Sequence, residues 1–293
     1  MLERRQALAV VAGAALAGCA RKRPLTVGAK GSTEQAILAE VVAQHLEHRL
    51  GAQVERSLNL GGTLLAHQTL ITGVVDLYPE YSGLAFAILF KLPHESDPAI
   101  VFERLRNEYR LRCAVEWLGP LGSSGGPVMV VRAEDARTSR LATLTDAAGY
   151  APRWNLGVGR EFIEQPALFR RLMSVYNLPL TAAPKALDAP ALYKALADGE
   201  VNMVGGSPTD PQLAGPEFRV LDDDQGAFPP CQAGLAVRSE ALTRYPAMGP
   251  ALAQLTGKFS TEGLRKLSHE VEIERRSAAQ IAAEFLREAG LAG

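Results

Sequence analysis

Two short stretches of the 293-residue chain are built to present main-chain donors to a ligand. In Asn59-Leu60-Gly61-Gly62-Thr63 the paired glycines let the backbone come close to a bound group, and Thr63 can cap the helix that follows while offering its hydroxyl. Lys30-Gly31-Ser32-Thr33-Glu34-Gln35 reads as a second helix start of the same kind. The first turn of a helix carries unsatisfied N–H groups and partial positive charge, so such a start suits a carboxylate or another oxyanion. Each alone is an ordinary N-cap. Because both follow a strand, the two starts are expected to face one crevice at the ends of a sheet.

Motifs for covalent or metal chemistry fail on their context. Gly122-Ser123-Ser124-Gly125-Gly126 has the form of a nucleophile elbow, which requires a helix directly after the serine, but Pro127 to Val131 reads as a strand and only His269 follows as a base. Gly28 to Thr33 lacks the Gly-Lys-Ser/Thr order of a phosphate loop. His45 and His48 lie three apart on a predicted helix without a third ligand, the pattern of a solvated helix flank. Asp198, Glu200 and the run Asp222-Asp223-Asp224 read as loop charges. No metal, no cofactor and no catalytic residue is expected.

The elements that would position the two loops alternate. Leu25 to Val27 reads as a strand, and from Thr33 the residues Ile37, Leu38, Val41, Val42, Leu46 and Leu50 recur at helical spacing. Gln53–Leu58 is strand-like, a helix runs from Gly61 to about Thr72, and Val74–Leu77 reads as another strand. Further units follow: strand Val128–Val131, strand Leu156–Val158, helix Glu161–Tyr176, helix Ala189–Ala197 capped by Asp188, and strand Val201–Val204. After Ala233 to Val237 the chain turns helical to its end. This alternation predicts an α/β fold with mostly parallel sheets and helices on both faces. One core is strained beyond roughly 250 residues, so two lobes are expected. With Lys+Arg 31 against Asp+Glu 32 there is no basic excess, and nucleic acid is excluded as a partner.

Residues 1–18 read as an export signal: Arg4 and Arg5 form a basic start and Ala7 to Leu16 is an uncharged run too short to span a bilayer. Leu16-Ala17-Gly18-Cys19 resembles a lipoprotein box, in which Cys19 is lipidated and becomes the new N-terminus, with 19–23 as a linker. Cys113 and Cys231 are read as free thiols, although an exported compartment would permit a bridge.

From Val27 to Gly83 the chain resembles the substrate-binding proteins of osmoprotectant ABC importers, the group for glycine betaine, choline and carnitine. Gly28, Lys30, Thr33, Glu34 and Gln35 match a Gly-Ser-Lys-Asn-Phe-Thr-Glu-Gln motif, Asn59 to Thr63 match Asn-Leu-Gly-Gly-Thr, and Asp76 to Tyr81 with Gly83 match Asp-Leu-Tyr-Pro-Glu-Tyr-Thr-Gly. Weaker echoes at Trp117 to Gly122, Ser207 to Asp210 and Phe228 to Pro230 extend the likeness over nearly the whole chain. The resemblance implies a type II periplasmic-binding-protein fold with the ligand between two lobes and two hinge crossings. The first lobe would hold 24–127 and 232–293, the second 128–231.

It further implies a monomeric, extracytoplasmic lipoprotein that captures a small zwitterionic or anionic solute and delivers it to a permease and its ATPase subunit. A ligand sensor signalling to a membrane partner is the alternative, and an exported enzyme on the same fold a more distant one. Lys30, Ser32, Gln35, Gly62 and Thr63 would hold the oxyanion end. Tyr81 would pack on the solute's body, and Ser124, Ser207 and Asp210 would approach from the hinge and second lobe. Three tyrosines expected around a quaternary ammonium are replaced near Pro127, at Gly206 and at Cys231, and Leu84 stands where a threonine is expected. A trimethylammonium group needs aromatic faces, so glycine betaine and choline are expected to bind weakly, and tyrosines at Gly206 and Cys231 to restore affinity.

Overall fold

The structure, a computed structural model, describes residues 23–150, 152–159, 162 and 166–292. The expected export signal and Cys19 lie outside the described residues, as does Glu161 at the expected start of its helix.

Two five-stranded sheets organise the chain. The first contains β1 (Leu25–Gly28), β2 (Val54–Ser57), β3 (Leu77–Tyr81), β4 (Val115–Leu118) and β10 (Ala233–Arg238), in the order β2-β1-β3-β10-β4. The second contains β5 (Val128–Arg132), β6 (Leu156–Val158), β7 (Lys185–Ala186), β8 (Met203–Gly206) and β9 (Phe218–Leu221), in the order β7-β6-β8-β5-β9. Each sheet is mostly parallel with one reversed strand. β10 runs against β3 and β4, and β5 against β8 and β9. These are the first strands after each passage between sheets, so the reversal follows from the path of the chain.

Helix α1 (Thr33–Leu50) begins where Ser32 Oγ accepts the Gln35 N–H at 3.4 Å and ends at Gly51, whose φ of 58° is the left-handed C-cap conformation. Its residues Ile37, Leu38, Val41, Val42 and Leu46 are fully buried against the first sheet, together with α7 (Ala278–Glu288). Helices α2 (Thr63–Ile71) and α3 (Pro98–Cys113) cover the opposite face around Tyr78, Tyr109 and Trp117. In the second lobe α4 (Pro166–Tyr176) lies over Trp154 and Leu156, and α5 (Ala189–Ala197) over Val130 and Val204. Helix α6 (Thr261–Glu272) belongs to the first lobe and reaches the second.

Two strand expectations shift along the chain. The strand expected at Val74–Leu77 is β3 at Leu77–Tyr81, because Gly73, with a φ of 77°, turns the chain there and leaves Val74 exposed. Pro79 then lies within the strand, opposite Leu235 of β10. The strand expected at Val201–Val204 runs from Met203 to Gly206, which brings its end to the cleft. Asp188 stands at the N-cap of α5, but its side chain makes no capping bond.

Candidate ligand cleft

The loops after β1 and β2 are tied edge to edge. The Leu60 N–H donates to Ala29 O at 2.8 Å and the Gly31 N–H to Gly61 O at 3.2 Å, while Asn59 and Gly61 take φ values of 64° and 81°. The starts of α1 and α2 therefore lie side by side, as their sequence implied. They form one wall of a cavity of about 550 Å³ between the two sheets.

Beneath that wall lies a closed set of polar contacts. The Lys30 ammonium forms an ion pair with Glu80, which is fully buried, and donates to Thr63 Oγ1 at 3.3 Å. Glu80 also accepts from the Tyr78 hydroxyl at 3.2 Å and from the Tyr81 N–H at 2.7 Å. Breaking such a pair leaves an uncompensated buried charge, which is far costlier than the pair is worth in isolation.

Glu34, one residue beyond the start of α1, connects the lobes. One carboxyl oxygen accepts the Tyr81 hydroxyl, and the other accepts the Thr209 hydroxyl across the cleft at 2.6 Å. Burial pushes its pKa up to about 7, against the lowering effects of the Thr209 hydrogen bond and the Lys30 charge. A second bridge comes from α6, where Arg265 Nε donates to Pro208 O at 2.9 Å. On the far wall Asp210 accepts from the Tyr193 hydroxyl at 2.7 Å and the Ser207 N–H at 2.8 Å, and burial raises its pKa. Ser207 Oγ lies 3.0 Å from Thr209 Oγ1.

Two crossings join the lobes as a pair. The Gly125 N–H donates to Cys231 O at 2.8 Å and the Ala233 N–H to Ser123 O at 3.0 Å, so the outgoing and returning segments run hydrogen-bonded side by side. Gly122 and Gly126, at φ 111° and 122°, occupy backbone space that other residues enter only with strain.

Residues 23–288 match the family described as the substrate binding domain of ABC-type glycine betaine transport systems. The chain belongs to this family. The ergothioneine transport permease/ergothioneine binding protein EgtU of Helicobacter pylori is 31% identical over 272 residues, covering 92% of this chain and 48% of its own length. The chain thus spans about half of that relative. The carnitine transport binding protein OpuCC of Listeria monocytogenes is 25% identical, with 92% and 88% covered. A crystal structure described as a glycine betaine/carnitine/choline ABC transporter shares the fold with a TM-score of 0.81 at 22% identity, over 92% of this chain and 100% of that one.

In this substrate-binding protein the cleft collects most of the residues singled out from the sequence: Lys30, Ser32, Gln35, Gly62, Tyr81, Ser207 and Asp210 line it. Thr63 stands one layer behind, accepting from Lys30. Ser124 is elsewhere, its hydroxyl donating to Cys231 O at 3.1 Å and its N–H to Thr261 Oγ1 at 2.9 Å within the hinge. Of the positions that lack the expected tyrosines, Pro127 and Gly206 line the cleft. Cys231 lies buried against Gly83 and Gly126, with its thiol pushed up to about 12 by burial. Sequence reasoning passed over Glu34, Thr209, Ser268 and Glu272, which also belong to the cleft. An acidic residue in the first turn is the normal complement to a helix dipole, so only the Glu34 position within a matched motif could have marked it. Among the described residues no helix is long and apolar enough to cross a membrane.

Proposed function

We propose that this chain is the extracytoplasmic solute receptor of an ABC importer, held at the membrane by lipid on Cys19 and acting as a monomer. It closes lobes 24–127 plus 232–293 and 128–231 over a small solute and presents it to a permease driven by an ATPase subunit. The observation that carries this reading is the Glu34–Thr209 bridge across a cavity of about 550 Å³, a closed geometry around a space fit for a small molecule.

The solute is a zwitterion. Its anionic end falls to the first-turn N–H groups of α1 and α2, since Lys30 is engaged by Glu80 and strengthens that pole only from behind. Glycine betaine, carnitine and ergothioneine, named for its relatives, share this charge pattern. Mass spectrometry of solute released from protein purified without refolding tests the reading. A zwitterion is expected, and release of a solute of another charge type, or of none from protein that is folded and stable, refutes it. Cys19→Ala should shift the protein from the membrane fraction to the soluble one, and unchanged retention on fractionation would overturn the lipid anchor.

A further inference from the structure

The helix starts of the second lobe do not repeat those of the first. Helices α1 and α2 open at Ser32 and Gly62 with main-chain donors at the cleft. Helix α4 begins at Pro166 and α5 carries Pro190 in its first turn, and proline has no N–H to offer. Each instead sets a leucine into the lining, Leu168 from α4 and Leu192 from α5. Leu187, just beyond β7, and Phe162, beyond β6, extend this apolar surface. The Leu187 N–H donates to Val158 O at 3.0 Å, and the Phe162 ring is held by edge contacts with Phe169 and Phe228 at centroid distances of 6.2 and 6.3 Å. Gly159, which follows β6, has no side chain to cover Leu192: a Cβ there would already touch its Cδ1 at 4.0 Å.

The polar groups of the same wall are already engaged. Asp210 accepts from Tyr193 and Ser207, Ser207 Oγ pairs with Thr209 Oγ1, and Thr209 donates to Glu34. Asp188 is exposed to solvent. What the wall has left to offer a solute is carbon, and covering it is favourable for an apolar group. Size points the same way. A cavity of about 150 Å³ takes a whole benzene molecule, and this cleft holds about 550 Å³. Glycine betaine is scarcely larger than benzene, so it would fill a small part of the space.

We propose that the second-lobe wall is a subsite for an uncharged alkyl or aryl arm, and that the solute is a zwitterion carrying such an arm in addition to its two charged ends. The arm lies against Phe162, Leu168, Leu187 and Leu192, while the anionic end stays with the first-turn N–H groups of α1 and α2. The assignment rests on the solute-capture reading and specifies the third part of the solute. Discrimination comes from buried area: each methylene laid on the wall adds affinity, and a compound with methyl groups alone gains none of it.

Calorimetric titration of the purified protein with N-alkyl-N,N-dimethylglycines tests this, the alkyl group being methyl, ethyl or butyl, so that both charges stay constant along the series. The butyl compound should bind at least about tenfold more tightly than the methyl one, glycine betaine itself, since each buried methylene is worth roughly threefold to fourfold. Leu187→Ala, at a half-buried position, and Leu192→Ala should each cut that ratio, measured within the variant, by about threefold or more. A smaller gain along the series, or none, in protein that binds glycine betaine overturns the assignment while leaving solute capture intact. A ratio that survives both substitutions places the arm elsewhere and overturns it as well. If folded protein binds none of the series the assignment falls, and the charge type of the solute released from purified protein decides capture separately.

Discussion

On the first-lobe wall the charged side chains Lys30 and Glu34 are already partnered, Lys30 with Glu80 and Thr63 and Glu34 with Tyr81, whereas the second-lobe wall sets apolar side chains, Phe162, Leu168, Leu187 and Leu192, beside Gly205, Gly206 and the turn that holds Ser207, Thr209 and Asp210. The first wall is an electrostatic frame fixed by buried charge. The second is a shape, set by apolar side chains and by the glycines between them. Changes to the first should therefore act through stability, and changes to the second through fit and closure.

The largest expected effect breaks the frame. Glu80→Ala leaves the Lys30 ammonium buried without its partner and should lower unfolding free energy by about 3–5 kcal/mol in denaturant titration. A loss below about 1 kcal/mol would mean that the pair is open to water and the first wall no more rigid than the second.

The bridge between the walls carries the next effect. Glu34 titrates at about 7 when buried, against 4.5 when exposed. The closed fold therefore binds a proton that the open or unfolded chain releases. This contribution, on the order of 3 kcal/mol at most, is complete below pH 4.5 and is lost as pH rises through about 7. Thermal melts of solute-free protein should fall across that window, and Glu34→Gln should flatten the slope. An unaltered slope in the variant assigns the titration elsewhere.

On the second wall, Gly206→Tyr distinguishes shape from chemistry. A Cβ at Gly206 would stand 2.6 Å from the Tyr193 hydroxyl and 2.7 Å from Asp210 Oδ2. The substitution is expected to disrupt that hydrogen bond and destabilise the second lobe by about 1–3 kcal/mol. Tyrosine at Cys231 fares no better, since the thiol already fills the space beside Gly83 and Gly126. Cys231 does not line the cleft, so a tyrosine there is not placed to complete a betaine cage. At Gly206, calorimetry of Gly206→Tyr with betaine decides between a gained ring, read as tighter binding, and this crowding, read as weaker or unchanged binding. The smallest effect is that of Thr209→Ala, which removes one hydroxyl from the bridge and should weaken solute binding by about 1 kcal/mol. An unchanged affinity would place the bridge outside the closing reaction.

The same contrast governs what could be read from the sequence. The first wall is local: Gly28 to Gln35 and Asn59 to Thr63 each form one strand-to-helix turn, so their spacing announced both the turn and its donors. Lys30 and Glu80 were each visible within a motif, but their pairing spans 50 positions and depends on β1 and β3 lying side by side. That pairing engages the ammonium of a lysine that also lines the cleft. Glu34 and Thr209 are 175 positions apart and meet only when two lobes close. The displaced strands Leu77–Tyr81 and Met203–Gly206 show a different limit, because a proline in the middle of the first and two glycines at the end of the second obscure the period that marks a strand.

The paired hinge segments also restrict how the molecule can move. Two strands that share hydrogen bonds cannot slide or twist past each other freely, so the lobes retain in effect one rotational degree of freedom. Opening then becomes a single angular coordinate, and one distance between spin labels on opposite rims should report its whole course.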